Sequence, residues 1–356
     1  FLIIIFFAII FINTHKISIN KLGNVKVINR EEKIFFVFED FFHPELIKLR
    51  KREKLDNVVT NCKTEFEKIL ALRNWAHSQW KQSEPFPYPP FNANVILDRI
   101  RTKKTGGWCG QYGVVFAQAC MSFGIPARYL EIMPEGAGGH FVVEVYNKDY
   151  NKWILMDPTV NLYYENNNIP DSAFELHKNM YCKINNVYSI SGSSKNVSNL
   201  DSFYSFAMML RNNHLTIPLK IVNEYRQEKN TTYIRLIDRR IWYYDKHISN
   251  LKKKEISPKV QFVSSDINDF YWEPDIVVIK ILEKNWIKKT ITLEFSGLLK
   301  NYQNFFVSSD GQKTWHETDS KYEWKLKKGS NMLEVTAPDI TGLKERFSYI
   351  IAELGR

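Results

Sequence analysis

The chain has 356 residues, more than one typical domain holds and about the length of two. Hydrophobic residues make up 44% of it and aromatic residues 14%, which provides for buried cores and excludes a chain that is disordered over most of its length. The formal net charge is +10, but the basic residues are scattered rather than clustered, so nucleic-acid binding is not expected.

The N-terminal segment is strongly apolar. Residues 1–12 carry no polar side chain, and Asn13 ends the run. A helix of that length spans about 18 Å, short of the roughly 30 Å hydrocarbon core of a bilayer. Residues 1–18 are therefore interpreted as a truncated signal peptide or an anchor, with a buried strand as the alternative. This interpretation predicts an exported protein (secreted, periplasmic or surface-anchored) that meets a membrane only through such an anchor.

The next elements are predicted to be helical. Apolar spacing predicts an amphipathic helix over residues 65–80, with Thr64 as its N-cap. Four prolines within residues 83–90 exclude a helix there and predict an ordered connection. The apolar run after Gly110 predicts a buried helix closed by Gly124, which places Cys109 at the helix N-terminus. Unpaired backbone N–H groups and the helix dipole favour a thiolate at that position.

Three strands are predicted after this helix, over residues 127–133, 141–146 and 152–156. A four-residue loop over 147–150 would pair Tyr146 with Asn151 and place His140 opposite Asp157, with both side chains on one face. A five-residue loop would shift the pairing by one residue and separate the two side chains. The sequence leaves both registers open.

The remainder of the chain, from about residue 215, consists of short β runs separated by turns. Their spacing from residue 268 onward predicts a small sandwich. Four tryptophans in this part are interpreted as core residues, with an aromatic platform for a sugar as the alternative. They are Trp272, Trp286, Trp315 and Trp324.

A Cys, a His and an Asp each stand at a junction of predicted elements. Cys109 follows Gly106-Gly107, His140 follows Gly139, and Asp157 precedes Pro158. A thiol whose proton is taken by an imidazole that a carboxylate orients is the generalised catalytic triad. No Cys-x-x-Cys or His-x-x-x-His pair is present in the sequence, so neither a metal site nor a cofactor is expected.

These motifs resemble the transglutaminase-like superfamily, part of the papain-like cysteine enzymes, over about residues 70–159. The resemblance rests on the paired tryptophans of the helix predicted at 65–80 and on a Cys at a Gly-rich helix start. It continues through the segment FGIPAR at 123–128, Gly139-His140, and the closing Trp153-x-x-x-Asp157-Pro158-Thr159.

The resemblance implies a role for each residue. Cys109 would be the nucleophile that forms a thioester from an amide, His140 the general base and then acid, and Asp157 the residue that orients His140. The Cys109 backbone N–H would be one donor to the oxyanion. Family members often add a side-chain donor upstream, for which Trp80, Asn92 and Asn94 are the candidates here.

The fold class that follows is α+β. A papain-like, transglutaminase-like domain, with the catalytic Cys at a helix N-terminus packed on an antiparallel sheet, is expected over residues 30–262, and an all-β sandwich over 268–356. The favoured function is cysteine-dependent acyl chemistry, by hydrolysis rather than crosslinking, on a protein or peptide substrate, cell-surface and glycan-linked proteins included. The alternative is a catalytically inactive scaffold that binds a glycan or protein through its sandwich.

Overall fold

The computed structural model describes residues 16–29, 34–135, 138–226, 231–237, 239–245, 261–337 and 346–355. The apolar segment 1–12, on which the signal-peptide or anchor prediction depends, lies outside these residues. Among the described residues, no helix combines the length and the apolar character needed to cross a bilayer.

The described residues form helices and a larger number of strands, which confirms the predicted α+β class. The helices are α1 Pro44–Arg52, α2 Leu55–Val58, α3 Glu65–Ser78, α4 Ala93–Arg101, α5 Cys109–Met121 and α6 Ala173–Tyr181. The first fourteen strands are β1 Ile17–Asn29, β2 Ile34–Phe38, β3 Ala127–Met133, β4 His140–Asn147, β5 Lys152–Asp157, β6 Leu162–Asn166, β7 Ile169–Pro170, β8 Val187–Ser191, β9 Ser194–Val197, β10 Ser205–Met209, β11 Lys220–Arg226, β12 Thr231–Ile237, β13 Arg240–Tyr243 and β14 Gln261–Ser264. The later ones are β15 Val277–Asn285, β16 Thr290–Gly297, β17 Phe305–Ser308, β18 His316–Thr318, β19 Lys321–Lys325, β20 Gly329–Thr336 and β21 Arg346–Leu354.

The chain divides into two compact units whose boundaries differ from the predicted ones. One unit spans Phe41–Glu273, and the other joins Phe1–Asp40 to Pro274–Arg356. The predicted division at 30–262 and 268–356 placed residues 30–40 with the first domain and left residues 19–29 in neither, whereas β1 pairs with β21 and β2 pairs with β1. Pairing between strands more than 300 residues apart leaves no trace in local periodicity.

The Phe41–Glu273 unit is built on one large sheet with strand order β14-β13-β10-β3-β4-β5-β6-β8-β9, with β7 paired to β6. Strands β3, β4 and β5 are antiparallel neighbours, and α5 packs on β3 and β4. The first residue of β4 and the last residue of β5 therefore lie at the same end of these two neighbouring strands. His140 is the first residue of β4 and Asp157 the last residue of β5, so this topology brings them together.

The hairpin between β4 and β5 has a register that neither predicted loop gives. Tyr146 pairs with Trp153 and Asn147 pairs with Lys152, so the loop is the four residues 148–151. The loop begins one residue later than predicted, with Asn151 at a positive φ of 52°, and this moves the pairing by two residues. A shift of two preserves which face each side chain is on. His140 and Asp157 are therefore diagonal neighbours on one face instead of directly opposite.

A buried ion pair joins the neighbouring strands β3 and β4. Arg128 and Glu144 are paired residues of the two strands, 1% and 0% exposed, and Nη2 of Arg128 lies 2.5 Å from Oε2 of Glu144. The other carboxylate oxygen accepts hydrogen bonds from the Ala173 N–H at 2.8 Å and the Tyr271 hydroxyl at 2.7 Å. A buried ion pair is tolerated when its remaining hydrogen-bonding groups are also satisfied, as here.

The second unit is a two-sheet β-sandwich. Its sheets have the orders β18-β17-β20-β21-β1-β2 and β15-β16-β19. Side chains from both sheets form one core, including Ile291 and Leu293 from the smaller sheet and Val335 and Ile350 from the larger. Of the four tryptophans, Trp324 is in this core. Trp286 is 44% exposed, and Trp272 belongs to the other unit.

Candidate active site

Cys109 is the first residue of α5, a helix that is buried from Gly110 to Met121. The backbone N–H of Trp108, the preceding residue, donates to Oε1 of Gln111 at 2.9 Å, and this bond closes the first turn. The first N–H groups of a helix have no acceptor within it. The Cys109 side chain is partly exposed beside these donors. The thiol is thus held at the end of a rigid, buried element.

His140 and Asp157 are joined by a hydrogen bond. Nε2 of His140 lies 2.6 Å from Oδ2 of Asp157, whose side chain is only 6% exposed. The other carboxylate oxygen, Oδ1, accepts the backbone N–H of Thr159 at 2.9 Å. One oxygen of the carboxylate is therefore held by the turn backbone, and the other holds the imidazole in position. Because Nε2 is engaged in this way, Nδ1 is the ring nitrogen left for the thiol.

The electrostatics of Cys109 and His140 favour a thiolate–imidazolium pair. Burial would raise the pKa of the Cys109 thiol, but hydrogen bonds from the His140 ring and from the Phe141 and Gly110 N–H groups hold that pKa below its usual value. Burial would lower the pKa of His140, but the hydrogen bonds to Asp157 and to Cys109 raise it to about 10. With the imidazole the stronger base, the proton lies on His140.

The residues proposed as side-chain oxyanion donors are engaged elsewhere. The Asn92 side chain caps α4 through the N–H groups of Asn94 and Val95, and its amide donates to Glu45 at 3.2 Å. The buried Asn94 amide also donates to Glu45, at 2.9 Å. Nε1 of Trp80 donates to the Gly107 carbonyl at 3.3 Å. The structure therefore places Cys109, His140 and Asp157 together, and leaves these three candidates in structural contacts.

The structure instead brings Tyr88 to the thiol. Its hydroxyl lies over Gly110, where an added Cβ would come within 2.5 Å of the Tyr88 oxygen, so a larger residue there would require the Tyr88 side chain to move. Burial raises the pKa of the Tyr88 phenol well above its usual value, a hydrogen bond with Gln111 opposes this rise and the neighbouring Cys109 adds to it, so the phenol keeps its proton. Tyr88 lies in the proline-rich segment 83–90. A polar residue held between two prolines was the signal that could have identified it.

A cavity of about 230 Å³ opens beside the thiol. Its walls combine aromatic side chains, helix-end backbone and one ion pair. They are formed by Tyr88, Trp108, Cys109, Gly110, Glu131, Gly139, Phe141 and Arg240. This volume is below the roughly 300–1,000 Å³ of typical small-molecule pockets, so the cavity suits one side-chain-sized group of a larger substrate.

The described part of the chain holds no cluster of three or more His, Cys, Asp and Glu side chains arranged to bind a metal ion. The cysteines described are all free, Cys109 among them. The groups gathered at the site are a thiol, an imidazole, a carboxylate and several hydrogen-bond donors. These are sufficient for nucleophilic attack and proton transfer.

Comparison with known proteins identifies the segment that carries the site. Residues 52–158 match the model of the Transglutaminase-like superfamily, and Tyr88, Cys109, His140 and Asp157 all lie within that range. This match confirms the resemblance recognised in the sequence. Among solved structures, the crystal structure of red sea bream transglutaminase matches at 9% sequence identity, over 89% of this chain and 74% of that chain, with a TM-score of 0.26. A similarity that low supports no conclusion about this chain. The curated protein sequences contain no match to it.

Proposed function

We propose that this chain, whose residues 52–158 match the model of the Transglutaminase-like superfamily, is a cysteine enzyme that hydrolyses or transfers the acyl group of a protein or peptide amide. The observation that carries the proposal is the hydrogen-bonded series from Cys109 through His140 to Asp157. In that series the imidazole holds the proton and the thiol is a nucleophile at neutral pH.

The reaction follows from the position of the proton. The Cys109 thiolate attacks the amide carbonyl carbon, a C–S bond forms, and the carbonyl electron pair moves onto oxygen. In this proposal the Cys109 N–H and the Tyr88 hydroxyl donate to that oxyanion. As the oxyanion collapses, the C–N bond breaks and the leaving nitrogen takes the proton from Nδ1 of His140, which leaves a thioester.

The second half of the reaction resolves the thioester. Water or an amine gives its proton to Nδ1 of His140 while its oxygen or nitrogen attacks the thioester carbonyl, and the Cys109 thiolate leaves. Hydrolysis is the favoured outcome, because a thioester reached by water hydrolyses by default, whereas crosslinking needs an amine acceptor to compete with water. Export stays a prediction from the apolar N-terminal segment.

The proposal is tested by trapping the acyl-enzyme. Wild-type protein is mixed with a library of peptides that carry side-chain and main-chain amides, quenched in acid, and measured by intact-mass spectrometry. We expect an acyl adduct that maps to Cys109, is absent from Cys109→Ala, and is released as a hydroxamate by hydroxylamine. Cys182→Ala is the matched control, because this exposed cysteine lies outside the site. No adduct with any peptide, from a protein whose Cys109 is unreactive, would favour the scaffold alternative.

Tyr88→Phe is expected to lower kcat by about 100-fold, the loss seen when one oxyanion donor is removed. The substitution removes only the hydroxyl over Gly110 and leaves the Cys109–His140 hydrogen bond in place, so the rate of alkylation by iodoacetamide is expected to change by no more than about twofold. Steady-state kinetics and alkylation rates measured on one preparation separate the two effects. Tyr150→Phe, at an exposed hairpin position, is the control. An equal fall in kcat and alkylation would assign Tyr88 a packing role.

A further inference from the structure

We propose that the cavity beside Cys109 selects acyl donors that carry a carboxylate, and that Arg240 is the residue that recognises it. The inference rests on the proposed function, since it concerns the substrate of the same thiol. It arises from the one ion pair in the cavity wall, between Glu131 on β3 and Arg240 on β13.

Arg240 is positioned by its strand and by this ion pair. Nη1 of Arg240 lies 3.2 Å from Oε2 of Glu131, and the two side chains are 17% and 23% exposed. The charge of Arg240 also acts on the Tyr88 phenol across the cavity. Arg240 is the only Lys or Arg among the described residues that line this cavity. Its guanidinium is thus fixed within reach of whatever enters beside the thiol.

Arg240 and Glu131 differ in the number of hydrogen-bond donors that each can provide to a ligand. Oε2 of Glu131 faces Arg240, and Oε1 is packed against Gly139, where an added Cβ would meet it at 2.1 Å. A carboxylate carries acceptors only, so Glu131 has no hydrogen to donate to a ligand. A guanidinium has five N–H donors, and among the described residues the buried Nε of Arg240 has no hydrogen-bond partner. Arg240 keeps donor capacity, whereas Glu131 does not.

Carboxylate is the ligand that suits this arrangement. A guanidinium binds a carboxylate through two parallel hydrogen bonds, in a geometry that an amide or hydroxyl does not match. The aromatic walls formed by Tyr88, Trp108 and Phe141 suit the methylene groups that would connect the carboxylate to the reacting amide. A peptide with an acidic side chain, or a free C-terminal carboxylate, close to the scissile amide has this chemistry.

The test uses two electrophiles of equal size that differ in one group. Bromoacetylglycine carries a carboxylate and bromoacetylglycinamide a neutral amide, and both alkylate a thiolate with loss of bromide. The rate for each at Cys109 is measured by peptide mass spectrometry, with the exposed Cys182 as a standard in the same molecule. The ratio of the two rates reports recognition of the carboxylate without any turnover.

We expect the ratio of the charged to the neutral probe at Cys109 to fall by about tenfold in Arg240→Gln, the size of one lost charge-assisted contact. The ratio should rise in Glu131→Gln, which frees the guanidinium. It should stay unchanged in Arg239→Gln, which removes a charge from the neighbouring residue outside the cavity wall. The rate with the neutral probe checks that each variant keeps an intact site.

The possible failures are distinguishable. If Cys109 reacts with the neutral probe as an activated thiol but its ratio is the same in wild type and Arg240→Gln, the carboxylate proposal is overturned and the proposed function stands. An equal fall in Arg239→Gln would show that only the overall charge matters and would also overturn it. If Cys109 reacts no faster than Cys182 with either probe at acidic pH, it is the proposed function that fails.

Discussion

Replacement of His140 by alanine is expected to slow alkylation of Cys109 by iodoacetamide at pH 6 by roughly 10- to 100-fold. In the wild type the His140 hydrogen bond and charge offset the burial of the thiol and keep its pKa low. Without the imidazole the burial is no longer offset, and the pKa of Cys109 rises. The loss in rate is smaller than the loss of thiolate, because a thiolate of higher pKa is more nucleophilic.

The pH dependence gives the sign of the effect. A lowered Cys109 pKa means that the wild-type rate stays high as the pH falls toward that pKa. A His140 pKa of about 10 means that the ion pair persists up to that pH. In His140→Ala the rate should instead rise tenfold per pH unit below the pKa of the thiol. His316→Ala, at an exposed position in the sandwich, is the control. A Cys109 profile that is the same in wild type and His140→Ala would rule out an activated thiol.

Asp157→Asn is expected to lower kcat by about 10⁴-fold while leaving the fold intact, the loss found when a triad Asp is replaced by Asn. The variant side chain keeps an oxygen for the Thr159 N–H, so the turn is preserved. It cannot offer a carboxylate to Nε2 of His140, which loses the hydrogen bond and the charge that raise the His140 pKa. The upper pH limit of the ion pair should therefore move down from about 10.

Kinetics and thermal unfolding separate the two roles of Asp157. The expected result for Asp157→Asn is a large loss of kcat with an unchanged melting temperature, whereas Asp157→Ala also removes the turn acceptor and should lower the melting temperature. Asp149→Asn changes a hairpin carboxylate that accepts the Phe66 N–H at 2.8 Å, and is the matched control. Activity within threefold of wild type in Asp157→Asn would show that another group orients His140.

Much of the site was predictable because its residues stand at the ends of elements with strong local signals. The helix start at Cys109 follows from glycines before a long apolar run, and β4 and β5 follow from apolar strands around a turn-forming segment. The observed register of β4 and β5 differs from the predicted one by two residues, yet His140 and Asp157 are still close, because side chains in a strand return to the same face every two residues. The face of the sheet on which a side chain lies can therefore be predicted more reliably than its exact pairing partner.

The parts that could not be predicted depend on contacts between distant segments. Tyr88 reaches the first turn of α5 only through the path of an irregular, proline-rich connection, which has no period to interpret. Donor type alone points to Asn92 and Asn94 as candidates, yet both side-chain amides are occupied by Glu45 from α1. Glu131 and Arg240 become neighbours through β10, which lies between β3 and β13 in the sheet. Sequence spacing contains none of these relations.

The pairing of β1 with β21 also determines when the sandwich can finish folding during protein synthesis. Residues 41–273 leave the ribosome as one continuous stretch and have their own sheet and core, so this unit can fold while the rest is still being made. The sandwich cannot, because β1 must wait for a partner near the end of the chain. Until β21 is synthesised, β1 has an open edge, which is the kind of surface that pairs with other chains. A premature stop before residue 346 would therefore leave the unit Phe41–Glu273 complete, while β1 would keep β2 as a neighbour and lack β21 on its other edge.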